Sequence, residues 1–244
     1  MFNLLIALAA GILVSVLVKL AGFAIWAGLV PGVLVFFGSF ILLGRRVAQK
    51  VQALSKVAEK ELSAQPTNQR ERQQRMEKAI KILESGLRYD RWQFLIGAEI
   101  HAQIGMIQYV SKHLDEAQVH FGKANPRNYM AKAMQGALFY QRKDYPAMER
   151  SFEAAVKSGK KEPLVWAAYA WCLGQLKEKD KALKVMARAV EANPSEEKLK
   201  SGLTALQNDK RLKMRMYEPM WWQFGLEQPP LQTMSNRRVQ FQRR

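Results

Sequence analysis

A single cysteine, Cys172, in 244 residues excludes an intramolecular disulfide, so the fold has no covalent staple, which suits a reducing compartment. Its neighbours, "AYAWCLG", make it a small buried residue, whereas a reactive thiolate needs an electropositive and accessible setting. Histidine is almost as scarce: His101, His113 and His120 fall on different expected helices or seven apart. A zinc pair on one helix face needs a spacing of about three or four, so no metal site is expected. No phosphate-binding loop is present, since "SGKK" lacks the preceding glycine and the following Ser or Thr, and no dinucleotide fingerprint occurs. Acidic residues alternate with basic ones along expected helix faces, the pattern of solvated surface. With no nucleophile, no acid–base pair and no cofactor motif, the chain reads as a non-enzyme without a small-molecule substrate. Catalytic, cofactor-binding and metal residues are all expected to be none.

Charge is missing from a whole region. Residues 1–44 contain one ionisable side chain outside the terminus, Lys19, so the rest of the +17 net charge lies beyond them. Two apolar runs, "FNLLIALAAGILVSVLV" and "AIWAGLVPGVLVFFGSFILLG", flank "KLAGF". A bilayer core takes about 20 helical residues, so residues 1–44 suffice for two transmembrane helices in a hairpin turning near Lys19 and Gly22. Each run must be helical, because lipid offers no partner to an unpaired backbone amide. No Lys or Arg precedes the first run and a second follows at once, which disfavours a cleaved signal peptide. An amphipathic, Arg-rich mitochondrial presequence does not fit either.

Basic residues are retained on the cytoplasmic side. Arg45, Arg46 and Lys50 follow the second run closely and outnumber Lys19. Both termini are therefore expected in the cytoplasm, with two spans in what is expected to be a bacterial inner membrane. Pro31 is expected to kink the second helix, and Gly28, Gly32 and Gly38 either allow close helix approach or are ordinary filler.

Residues 45–67 form a juxtamembrane basic helix and hinge. Val47, Val51, Leu54, Val57, Ala58 and Leu62 recur at helical spacing opposite a Lys/Arg face. That helix either touches anionic headgroups or packs on the following domain. Pro66 ends it, and Thr67 or Asn68 is placed to cap the next.

Internal repetition organises residues 68–209. With Pro163 as position 1 of a 34-residue unit, Trp166, Tyr169, Ala170 and Leu173 take positions 4, 7, 8 and 11; Ala182, Met186, Ala189 and Pro194 take 20, 24, 27 and 32. One unit earlier, from Tyr129, Gly136 is at 8, Phe139 at 11, Tyr145 at 17, Phe152 at 24 and Ala155 at 27; Met148 and Lys160 depart from the pattern. A third unit from Ala98 has Ile104, Gly105, Ala117, Phe121 and Ala124 in place and ends early at Pro126. Small residues let two antiparallel helices cross closely, large ones fill the space beside the crossing, and proline stops the second helix. "MEKAIKILESGL" matches only a second helix, and "SEEKLKSGLTALQND" reads as a capping helix opened by Ser195.

This pattern resembles the tetratricopeptide repeat. The resemblance implies an all-α chain with a curved solenoid after the hairpin, its inner surface lined by the first helix of each unit. It also implies binding of a peptide or partner protein at groove positions 2, 5, 9, 12 and 13, which are Glu99, Met106, Tyr109 and Val110, then Met130, Tyr140 and Gln141, then Leu164, Trp171 and Gln175. Rings and Met are typical anchors. The variant that clamps a carboxylate through Lys and Asn is not matched here.

Residues 210–244 leave the repeat pattern. A basic run, Lys210, Arg211, Lys213 and Arg215, precedes Tyr217, Met220, Trp221, Trp222 and Phe224; Pro229, Pro230 and "RRVQFQRR" follow. So much aromatic surface does not stay in water. Trp221, Trp222 and Phe224 are expected to contact the repeats, a partner or the membrane interface. The expected function is a membrane-anchored adaptor or scaffold whose cytoplasmic repeats recruit another protein. The alternative is an integral accessory subunit of a transport, motility or secretion complex. The basic excess also admits binding to anionic lipid or nucleic acid, the latter less favoured because no RNA- or DNA-binding module accompanies it.

Overall fold

In a computed structural model of the chain, residues 1–64, 66 and 68–228 are described; they form ten α-helices and short 3₁₀ segments, with no strand among the described residues. Pro229, Pro230 and the closing basic run lie outside them, as does Thr67.

The two apolar runs are helical, α1 (Phe2–Leu20) and α2 (Ile25–Ser63), and both are long and apolar enough to cross a membrane. A tight turn joins them, with Gly22 in the left-handed region at φ 86°, where a side chain would be strained. The helices meet through small residues. A Cβ on Gly28 would lie 2.8 Å from the Ser15 carbonyl oxygen, and one on Gly11 would lie 2.7 Å from that of Gly32. Gly32 faces Ser15 Oγ, which donates to the Gly11 and Gly28 carbonyls at 3.1 and 3.0 Å. Gly28 and Gly32 thus set close approach, whereas Gly38 faces open space.

α2 continues as one 39-residue helix through Pro31 and past Gly44. At about 1.5 Å per residue it is about 58 Å long. Its far half buries Val51 and Ala58 with Ala79 and Leu83 of α3 (Gln69–Ser85) and Ile100 and Ile104 of α4 (Ile96–Val110), so the apolar stripe faces the following helices. α3 packs back along the end of α2, and Lys78 and Arg75 reach Glu61 at 2.7 and 3.7 Å. Asn68 caps α3 by accepting from the Glu71 amide at 2.8 Å.

Three further helix pairs follow: α4 with α5 (Leu114–Lys123), α6 (Tyr129–Gln141) with α7 (Tyr145–Ser158), and α8 (Pro163–Gln175) with α9 (Lys179–Ala192). α4 packs on α6, and α6 on α8; α10 (Glu197–Gln207) packs on α9. Glycine makes two of the crossings. A Cβ on Gly136 would lie 2.7 Å from the Phe152 ring, and one on Gly105 would lie 2.9 Å from the Phe121 ring. Phe152 in turn stacks on Tyr169 of the next pair at 5.3 Å. Cross-pair salt bridges, Lys181–Glu149 at 2.8 Å and Arg188–Glu153 at 2.9 Å, tie α9 to α7. Burial of the large side chains dominates the energetics, at about 1.5–3 kcal/mol each. α10 starts at Glu197, with Glu196 at the capping position and no side-chain cap, so Ser195 does not serve the expected role.

Candidate functional site

One face of the helical array is made by α4, α6 and α8, and the chain's own C-terminal segment lies across it. It holds two 3₁₀ turns, Met214–Tyr217 and Met220–Phe224, the second of which presents Trp221 and Phe224 inward, both fully buried. The Trp221 ring meets Trp171 of α8 edge-on at 5.3 Å and stacks with Phe224 at 6.0 Å. Trp171 also meets Tyr140 of α6 at 5.9 Å. Trp221 Nε1 donates to Glu227 Oε2 at 2.8 Å, which satisfies the one polar atom of a buried indole.

Main-chain recognition accompanies this aromatic packing. The Tyr109 hydroxyl donates to the Phe224 carbonyl at 2.5 Å, and Gln141 Nε2 donates to the Tyr109 oxygen at 2.8 Å. The same Nε2 reaches the Phe224 and Gly225 carbonyls at 3.4 Å. Burial pushes the Tyr109 phenol far above its ordinary pKa, so it stays a donor at every pH the protein meets. Gly225 closes the second turn at φ 56°, where a Cβ would lie 2.8 Å from Lys112 Nζ. The arrangement holds an aromatic pair by shape and the backbone beside it by two side-chain donors, a chemistry suited to binding a peptide.

Only some of the sequence-read groove residues meet the C-terminal segment. Tyr109, Gln141 and Trp171 contact the C-terminal segment directly, and Tyr140 supports it through Trp171. Met106, Val110, Met130 and Leu164 are half-buried against the same core. Glu99 accepts from Asn128 at 3.3 Å and so ties α4 to the start of α6. Gln175 is exposed at the end of α8. Of the tail residues, Trp222 is half-buried against the core beside fully buried Trp221 and Phe224.

Arg45, Arg46 and Lys50 are exposed on α2 where it leaves the apolar hairpin. A loop ahead of α4, residues 89–95, sits against the same level. The Phe2 and Asn3 amides donate to the Arg91 and Trp92 carbonyls at 2.9 and 3.2 Å. Buried Asn3 donates its Nδ2 to Gln93 Oε1 at 3.1 Å, and the Phe2 and Trp92 rings meet edge-on at 5.4 Å. The Gln93 side chain lies 3.4 Å from where a Cβ on Gly44 would be. Sequence reading gave this loop no role; its aromatic cluster "RWQFL" was the available signal.

His101 and His120, which spacing keeps apart, are brought together across α4 and α5 with their Nδ1 atoms 3.0 Å apart. Burial lowers both pKa values. No cluster of three or more His, Cys, Asp or Glu able to hold a metal occurs among the described residues. Cys172 is fully buried on α8, and burial raises its thiol pKa. In comparison with known proteins, no family model and no curated protein matches the chain.

Proposed function

We propose that this chain is a membrane-anchored adaptor. In this reading α1 and α2 cross the bilayer as a hairpin with both ends in the cytoplasm. The helices beyond them form a tetratricopeptide-like solenoid, and the face of α4, α6 and α8 is its inner groove. That groove binds an aromatic-rich peptide of another protein and recruits it to the membrane. Confinement to the bilayer raises the effective concentration toward other membrane components, so modest contacts suffice. The observation that carries the reading is the Tyr109–Gln141 pair holding the Phe224 carbonyl beside the Trp171–Trp221 contact: the groove already grips a peptide, the chain's own. A partner's segment competes for that place.

Affinity purification of the full chain in mild detergent tests this. The double variant Trp221→Ala, Phe224→Ala empties the groove and is expected to raise partner recovery. Gln141→Ala in that background lowers it again, while membrane attachment is unchanged. Equal recovery from all three forms would refute groove binding. Recovery of membrane subunits at fixed stoichiometry, indifferent to these substitutions, would favour the accessory-subunit alternative. Association that falls steeply with salt would favour anionic lipid or nucleic acid.

A further inference from the structure

We propose that residues 88–95 form a third membrane contact, a wedge that enters the headgroup layer of the leaflet at the open end of the hairpin and fixes the helical array to the bilayer surface. The inference rests on the reading that α1 and α2 span the membrane.

Depth is the first argument. α1 has 19 residues, about 28 Å of helix, close to the roughly 30 Å thickness of a bilayer core. Its first turn therefore lies at the boundary between hydrocarbon and headgroups. The loop is hydrogen-bonded to that turn through the Phe2 and Asn3 amides and touches α2 at Gly44, one residue before Arg45. The loop must share their depth.

Composition is the second. Trp92, Phe94 and Leu95 are 43, 61 and 42% exposed, an apolar cluster continuous with exposed Met1 and Phe2. Phe94 and Leu95, with Met1, Phe2 and Leu5, line an open notch between the start of α1 and the loop, which Asp90 and Arg91 also line. Water is a poor solvent for such a patch, whereas aromatic rings favour the membrane interface. Leu95 holds φ 68°, a conformation that costs a branched residue energy. The Asp90 carboxylate accepts from the Gly97 amide at 3.2 Å, binding the loop to the first turn of α4.

Charge is the third. Arg88 in the 3₁₀ turn just ahead of the loop, Arg91 on the loop, and Arg45, Arg46 and Lys50 on α2 are all exposed. Lys50 and Arg88 also lie 6.0 and 4.9 Å from the Tyr89 ring, which holds the cations at the loop's edge. Asp90, committed to Gly97, is the one acidic residue within residues 86–95. Apolar rings ringed by cations match an anionic lipid surface.

The test uses the full chain reconstituted in vesicles of phosphatidylcholine with phosphatidylglycerol, labelled with an environment-sensitive fluorophore at one introduced cysteine. Buried Cys172 stays unlabelled in the folded protein. Phe94→Cys reports the wedge, Ile12→Cys the hydrocarbon core, and Lys143→Cys the turn beyond the end of α6. At position 94 the label is expected to be quenched by lipids carrying a shallow spin label and several-fold less than at position 143 by aqueous iodide. Replacing phosphatidylglycerol with phosphatidylcholine is expected to raise iodide quenching at 94. Arg88→Glu with Arg91→Glu has the same effect in anionic vesicles. If position 12 is deep and position 94 is as open to iodide as position 143, the wedge is refuted while the spanning hairpin stands. If position 12 is itself aqueous, the spanning reading has failed. Protection at 94 without lipid quenching would mean that protein covers the loop, and would also overturn the proposal.

Discussion

Gly136 shows how much one missing methyl group governs. With the Phe152 ring 2.7 Å from the place of a Cβ, a leucine there has no room, and overpacking costs about 1–3 kcal/mol or more. Chemical denaturation of Gly136→Leu should show that loss. Trp221 is the opposite case, a large side chain filling a site. Truncating fully buried Trp221 to alanine should cost the docked C-terminal segment about 3–5 kcal/mol of packing, and limited proteolysis should then cut within residues 210–225 faster than in the unmodified chain. The His101–His120 pair adds a pH dependence. Burial, then the Lys123 charge, lowers His101, with Asp90 opposing; burial, then His101 and Lys123, lowers His120. Protonation therefore favours the unfolded chain. The stability is fully present above about pH 6.5, the unfolded value, and is lost as pH falls toward the folded values. The melting temperature should drop from about pH 7 to about pH 5, and His120→Gln should flatten that drop.

The connections between helices follow a rule that glycine does not announce. Lys112, Lys143 and Lys177 occupy the left-handed region at φ 68°, 62° and 63°, each one residue past the end of a first helix's cap. The next amide folds back in every case: His113 to the Gln108 carbonyl at 2.9 Å, Asp144 to Phe139 and Glu178 to Leu173 at 3.0 Å. This is the bond of a Schellman ending, in which glycine is the usual occupant of the left-handed position. Lysine pays a conformational penalty there, so Lys177→Gly should stabilise the protein by about 0.5–1 kcal/mol, the relief of strain less glycine's extra freedom when unfolded. Denaturant midpoints of the two forms would check it. The helices themselves were legible because their small and large residues recur with a fixed period: α6 and α8 begin at Tyr129 and Pro163, the two unit starts read from the sequence. The turns were not, since lysine carries no turn signal. Nor was the place of Trp221, because an aromatic cluster tells that it will be buried but not against what.

Across the chain as a whole, the repeat positions single out Tyr109, Gln141 and Trp171 but not the C-terminal segment they contact, which comes from more than 80 residues further along for both hydrogen-bonding residues. The loop at residues 89–95 was silent for the same reason: its meaning depends on meeting Phe2 and Asn3 across about 90 residues of sequence. That junction is testable in its own right. Asn3→Leu leaves Gln93 without its partner, and should make the Trp92 region more open to hydrogen exchange while α6–α9 keep their protection.

Because α2 runs unbroken from Ile25 to Ser63, it leaves no swivel between its apolar half and the helices it braces. With α2 crossing the bilayer as proposed, it behaves as a stiff mast. A thicker or thinner membrane changes the lean of that mast. The whole deck of helices turns with it, so lipid thickness would steer the direction in which the groove faces.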